Sequence, residues 1–171
     1  MDTFSILALN TGNSFLKFSL FQRSIDAPIN PTIKGCISDI GGASTLTWTY
    51  GTIHAHIGIA VNNHNEAAEW AFDWLQNLWP LGSLLDNVNV VEHRFVDYGK
   101  RYNAPVIVDE NVITQLEAFI PHAIPHNTKA IMILIASQKL LAKKALTVVT
   151  FDTALIHDID EPTTELDEIR H

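Results

Sequence analysis

Ala145-Leu146-Thr147-Val148-Val149-Thr150-Phe151-Asp152-Thr153-Ala154 reads as a buried β-strand that ends in a carboxylate. Its apolar, β-branched character is that of a core strand. Open sheets that carry helices gather their chemistry at the C-terminal ends of such strands. A strand-end aspartate is often purely structural, so the meaning of Asp152 depends on what else reaches the same edge.

Two further segments point there. Phe4 to Leu9 is apolar enough for a core strand, Asn10 to Ser14 is a turn cluster containing Gly12 and Asn13, and residues 15–21 alternate as a second strand. Together they predict a hairpin. In the middle of the chain Val88 to Val91 predicts a short strand leading into His93-Arg94. A polar turn, an arginine at a strand end and a strand-end aspartate are what a phosphoryl-transfer cleft requires. Such a cleft holds the transferred group in line and neutralises its oxygens.

In that reading Asn10 and the amides of the turn line a phosphate or hydrated metal, with Lys17 nearby. Arg94 offers a bidentate fork to phosphate or carboxylate. Asp152 organises a metal through water or orients a nucleophile. Singly, each has a plain alternative: a hairpin turn, a surface ion pair, a structural acid.

The remaining chain predicts a third strand at Ile33 to Ile37, then a hairpin around Gly51, from Thr45–Tyr50 and Thr52–Ile59, projecting from the main sheet. From Asn63 the period changes. Ala67, Trp70, Ala71, Trp74, Leu75 and Leu78 make one helical stripe, with Asn63 as cap and Pro80 as stop. Helices follow at 109–119 and 127–143, and the last strand at 146–151. Strands first, then strands alternating with helices, predict a single α/β domain with a mixed sheet flanked by helices.

At 171 residues, 47% hydrophobic and 18% charged, the chain suits one well-packed domain. A net charge of −8 argues against nucleic acid or an anionic membrane as partner. It also requires any phosphate site to gather its cations locally or borrow a metal ion. Cys36, the single cysteine, precludes an intramolecular disulfide and reads as a small buried strand residue, not a nucleophile. No signal-peptide pattern is present, and the apolar run 131–136 is too short for a bilayer, so the expected location is cytoplasmic. His54 and His56 share a strand face, and His122 and His126 could share a turn. Neither pair shows the further ligands a metal needs, so His54 and His56 read as surface histidines.

On these residues the chain resembles the acetate kinase family, which includes propionate and butyrate kinases and lies in the superfamily of sugar kinases, actin and Hsp70-type ATPases. The family pattern Asn-x-Gly-Ser-Ser-Ser-Leu-Lys-Phe is matched by Asn10, Gly12, Ser14, Leu16, Lys17 and Phe18. Its Gly-His-Arg-Val-Val-His-Gly-Gly block is matched by His93, Arg94, Val96 and Gly99, and Pro-Leu-His-Asn-Pro by His126 and Asn127. Phe-Asp-Thr-Ala-Phe-His is matched by Phe151 to Ala154, and Asn63 to Ala67 resembles the family's Asp-His-x-x-Ala helix.

The resemblance implies a ribonuclease-H-like fold over residues 1–157, followed by a polar acidic tail at 158–171. It implies reversible phosphoryl transfer between ATP and a short-chain carboxylate, giving an acyl phosphate, with Mg2+. Asn10 and Lys17 would then serve phosphate and metal, Arg94 the carboxylate or phosphoryl group, Asp152 the nucleophile or metal, and His126 the transition state. Val96 and Pro125 would line the acyl pocket. The departures are Asn13 and Phe15 in the serine turn, Asp97 and Tyr98 after Arg94, Pro125 for a pocket leucine, and Thr128 for a proline.

Family members are more than twice as long, and their second domain supplies the nucleotide site. The expected partners are therefore a missing C-terminal half or a second copy of the chain. The expected activity is that of a truncated or diverged kinase, weak or absent alone. Half of a split enzyme and a non-catalytic anion- or protein-binding module are the alternatives.

Overall fold

Period-two alternation in the first sixty residues builds five consecutive antiparallel strands, and two later strands insert parallel to the first. The computed structural model describes residues 4–23, 30–78, 81–95, 104–118, 125–141 and 144–152. Its strands are β1 (Phe4–Thr11), β2 (Leu16–Arg23), β3 (Pro31–Ser38), β4 (Thr45–Tyr50), β5 (Ile53–Gly58), β6 (Val90–Phe95), β7 (Val106–Ile107) and β8 (Leu146–Phe151). They form one mixed sheet in the order β5-β4-β3-β2-β1-β6-β8-β7, with β6 parallel to both β1 and β8.

Three helices, α1 (His64–Gln76), α2 (Glu110–Ala118) and α3 (Pro125–Leu141), pack against one face of this sheet. Leu7 and Leu9 of β1, Leu16, Phe18 and Leu20 of β2, and Val91 of β6 point into that face and are buried. Phe18 and Trp48 join the sheet to α1 through tilted ring contacts with Trp74, with centroids 5.9 Å and 5.4 Å away respectively. The α1 tryptophans are thus packing residues, as their helical spacing predicts.

Asn63 caps α1: its side chain accepts from the Glu66 amide at 3.0 Å, and the Glu66 carboxylate accepts from the Asn62 amide at 2.8 Å. The two reciprocal bonds satisfy backbone donors that a helix start leaves open. Asn77 closes the helix.

The structure revises four expectations. β4 and β5 do not project; they continue the sheet beyond β3 in full register, joined at Gly51, whose φ of 57° suits a tight two-residue turn. β6 runs to Phe95, so Arg94 lies within a strand, because pairing on both sides by β1 and β8 outweighs the polarity of Glu92-His93-Arg94. Helix α3 begins at Pro125, where a proline is tolerated in the first turn. Cys36 is half-buried on the face opposite the helices and not a core residue. The two-residue strand β7, antiparallel to β8, lacks any sequence signal. Pro80, Phe119, His122, the 153–157 segment and the 158–171 tail lie outside the described residues.

Candidate functional site

Register across the sheet assembles the site. Asn10 is opposite Lys17 in β2 and opposite Arg94 in β6, and Arg94 is opposite Thr150 in β8. Directly opposed residues share a face. Lys17, Asn10, Arg94 and Thr150 therefore form one polar row on the face that the described helices leave open, at the C-terminal ends of β1, β6 and β8. Asp152 follows one residue after β8. Phe151, buried against Phe95 with centroids 6.2 Å apart, anchors that strand end.

Arg94 Nε donates to Asp152 Oδ1 at 2.5 Å. The bond holds the guanidinium even more firmly protonated than usual, with the nearby carboxylates adding to the effect. Glu92, two residues before Arg94 on the same face, accepts from the Thr150 hydroxyl. Burial pushes its carboxyl above the usual range, against the opposing pull of the Thr150 bond and Arg94. Strand alternation from Arg94 would have singled out Glu92; the role of Thr150 required the β6–β8 register.

The turn between β1 and β2 is held from beneath. His64 at the start of α1 is buried, and its Nε2 donates to the Gly12 carbonyl at 2.8 Å. Desolvation lowers its pKa, which favours the neutral ring. Lys129 in α3 donates to the Asn13 carbonyl. Within the turn the Gly12 amide donates to the Phe15 carbonyl at 2.9 Å. The Phe15 ring lies over Gly12, so close that a Cβ there would fall 2.1 Å from Phe15 Cε1. Lys17 Nζ sits over the same ring, 4.9 Å from its centroid. Lys17 is therefore beside Asn10 in register, but its ammonium is drawn to Phe15.

His93, adjacent to Arg94 in sequence, points to the opposite face. It is fully buried, bonds Ser137 of α3 at 2.8 Å, and is pushed down to about 3 by desolvation. Ser137 in turn donates to the Leu134 carbonyl, so the histidine Nε2 is the donor to Ser137. It is a core residue. Of the other expected site residues, Val96 lies outside the described residues together with Asp97, Tyr98 and Gly99. The backbones of Pro125 and His126 open α3, while their side chains lie outside what is described.

Among the described residues no group of three or more His, Cys, Asp or Glu could hold a metal ion. Mg2+ needs less from protein, since it keeps several waters and binds through one or two carboxylates and substrate phosphates. Asp152 and the Asn10 amide oxygen are hard oxygen donors at the same sheet edge and fit that minimal role. No described helix is long and apolar enough to cross a membrane.

A mixed sheet with helices packed on it and a polar strand-end row defines an α/β domain of the acetate and propionate kinase fold. Acetate kinase from Porphyromonas gingivalis superposes with a TM-score of 0.75 at 24% identity, over 88% of this chain and 38% of that one. Propionate kinase from Francisella tularensis gives 0.72 at 21% identity, over 88% and 37%. Residues 5–167 match the family model of the acetokinase family, and the chain belongs to that family. Acetate kinase of Enterococcus faecalis is 31% identical over 150 residues, and that of Clostridium novyi is 30% identical over 151. The alignments cover 86% and 87% of this chain, yet it spans only 37% of each relative's length.

Proposed function

We propose that this chain supplies the carboxylate- and phosphoryl-binding wall of an acetate-kinase-like phosphotransferase. The reaction is attack of a short-chain carboxylate oxygen on the terminal phosphorus of ATP, with cleavage of the bond to ADP, and its reverse from acyl phosphate. Arg94 takes the carboxylate or phosphoryl oxygens through its terminal nitrogens while Asp152 holds Nε. Asn10 and the tied-down turn amides contact the phosphate, and Asp152 with Asn10 would hold Mg2+. When bound, that ion would neutralise charge on the phosphoryl oxygens. By the family resemblance, His126 would serve the transition state, and Val96 and Pro125 the acyl pocket.

One observation carries this reading: register and an ion pair bring Asn10, Arg94 and Asp152, three far-separated motif residues, to one sheet edge. The family resemblance implies that the nucleotide site lies in the length of the relatives that this chain does not span, so turnover by the chain alone is expected to be weak or absent. Completion by a C-terminal half, or by a second copy, is expected to restore it.

Calorimetric titration with acetyl phosphate and Mg2+ tests the proposal. Saturable binding that disappears in Arg94→Ala is expected. Absence of binding by the unaltered chain, or equal binding by the variant, would overturn it. A coupled assay with ATP, Mg2+ and acetate or propionate measures the residual activity; turnover matching a full-length kinase would reject the incomplete-cleft part.

A further inference from the structure

Beyond the Arg94 edge, the open face of the sheet sinks into a groove of about 480 Å³ across β2, β3, β4 and β5. Its floor is the backbone of four strands, and its walls are side chains from two successive register rows. The first row runs Lys17, Cys36, Thr47, His56; the second runs Ser19, Lys34, Thr49, His54. Each row contains a lysine, a threonine and a histidine, and no acidic side chain lines the groove among the described residues. Asp39, just past the end of β3, acts electrostatically on Cys36. In a chain of net charge −8, this is a local gathering of cationic and hydrogen-bonding groups.

We infer that this groove is a second anion site, separate from the Arg94–Asp152 edge, for a small molecule bearing two linked phosphate groups. The geometry is set by the sheet. Adjacent strands lie about 4.8 Å apart, so Lys34 and His54 flank Thr49 with roughly 10 Å between their backbones, enough for one phosphate above the threonine hydroxyl. The other row is displaced by two residues, roughly 7 Å along the strands, and offers a second phosphate the partners Thr47 and His56, with the Lys17 ammonium, held over Phe15, bordering the outer end. A cleft lined by one sign of charge focuses the field on such a ligand. A single carboxylate leaves one row unused, and a long polyanion overruns the four strands.

Titration of the chain with sodium pyrophosphate, and in parallel with orthophosphate, at constant ionic strength tests this. Pyrophosphate is expected to bind saturably and more tightly than orthophosphate, and to shift the ring resonances of His54 and His56. Lys34→Glu is expected to weaken it at least about tenfold by placing a like charge against the ligand. Arg94→Ala is expected to leave the His54 and His56 shifts, and the affinity read from them, unchanged, although that variant loses the phosphoryl ligand at the other edge. The two sites can thus fail independently. Lys34→Gln, which adds no charge, is expected to give an intermediate loss, with a melting curve matching the unaltered chain. No saturation, equal affinity in Lys34→Glu, or loss confined to Arg94→Ala would each overturn the inference.

Discussion

Arg94 and Asp152 meet across adjacent parallel strands, Nε to Oδ1 at 2.5 Å, although 58 residues separate them in the chain. Their side chains are 49% and 28% exposed, so the pair adds little net stability. Its consequence is orientation: the carboxylate clamps one edge of the fork and competes for its charge.

Asp152→Asn is therefore expected to change unfolding stability by less than about 1 kcal/mol. Its affinity for acetyl phosphate is expected to rise, because Arg94 loses its internal competitor, while any phosphoryl transfer falls. Urea unfolding and calorimetry on the same variant separate the two effects. A large stability loss would mean that the pair is structural.

Gly12 is where Phe15 constrains the turn. Gly12→Ala places a methyl group against the ring and is expected to cost about 1–3 kcal/mol by overpacking. Phe15→Ala in the same chain is expected to remove most of that cost, since the ring is the obstacle, and to release the Lys17 ammonium. A double-mutant cycle by chemical denaturation measures the coupling; additive costs would show that the backbone, not the ring, resists the methyl.

Gly35 sits mid-strand opposite Phe18, where a Cβ would fall 2.0 Å from Phe18 Cζ. Phe18 is buried and packed on Trp74, so it has little room to yield. Gly35→Ala is expected to destabilise the domain by about 1–3 kcal/mol or more. The same substitution at Gly58, where nothing lies within 4 Å of the added atom, serves as control and is expected to be nearly neutral.

His93 makes stability depend on pH. Its folded value is about 3, far below its ordinary value of 6.5, so between these limits the unfolded chain binds the extra proton. Stability contributed by the neutral ring is complete above the unfolded value and is lost as pH falls toward the folded one. The slope is up to about 1.4 kcal/mol per pH unit for one such group. His64, also lowered by burial, acts in the same direction. Urea unfolding at pH 7.5 and pH 5 should show a smaller difference in His93→Gln than in the unaltered chain; an unchanged difference would refute the buried neutral histidine.

Much of the fold was legible because local chemistry repeats. Apolar content marked β1, alternation marked β2, β4 and β5, the Asn63 cap and the Ala67–Leu75 stripe marked α1, and the β-branched run marked β8. β7 was not legible, since two residues have no period, and neither was the full length of β6, whose polar residues become strand only through pairing on both sides. Asn10, Arg94 and Asp152 were legible as motif residues. Glu92 was passed over because its significance comes from burial and from Thr150 across the register.

The amino-acid sequence carries the resemblance to the acetokinase family in its motif residues, and the order of the main strands and the residues at their ends in its local patterning. Which side chains meet was set by the folded arrangement. It paired Arg94 with Asp152, turned His93 into the core, laid Phe15 over Gly12 beneath the Lys17 ammonium, and aligned two rows of lysine, threonine and histidine on the open face. Those outcomes depend on strand register and twist, which arise from pairing between distant segments and have no signature within any one of them.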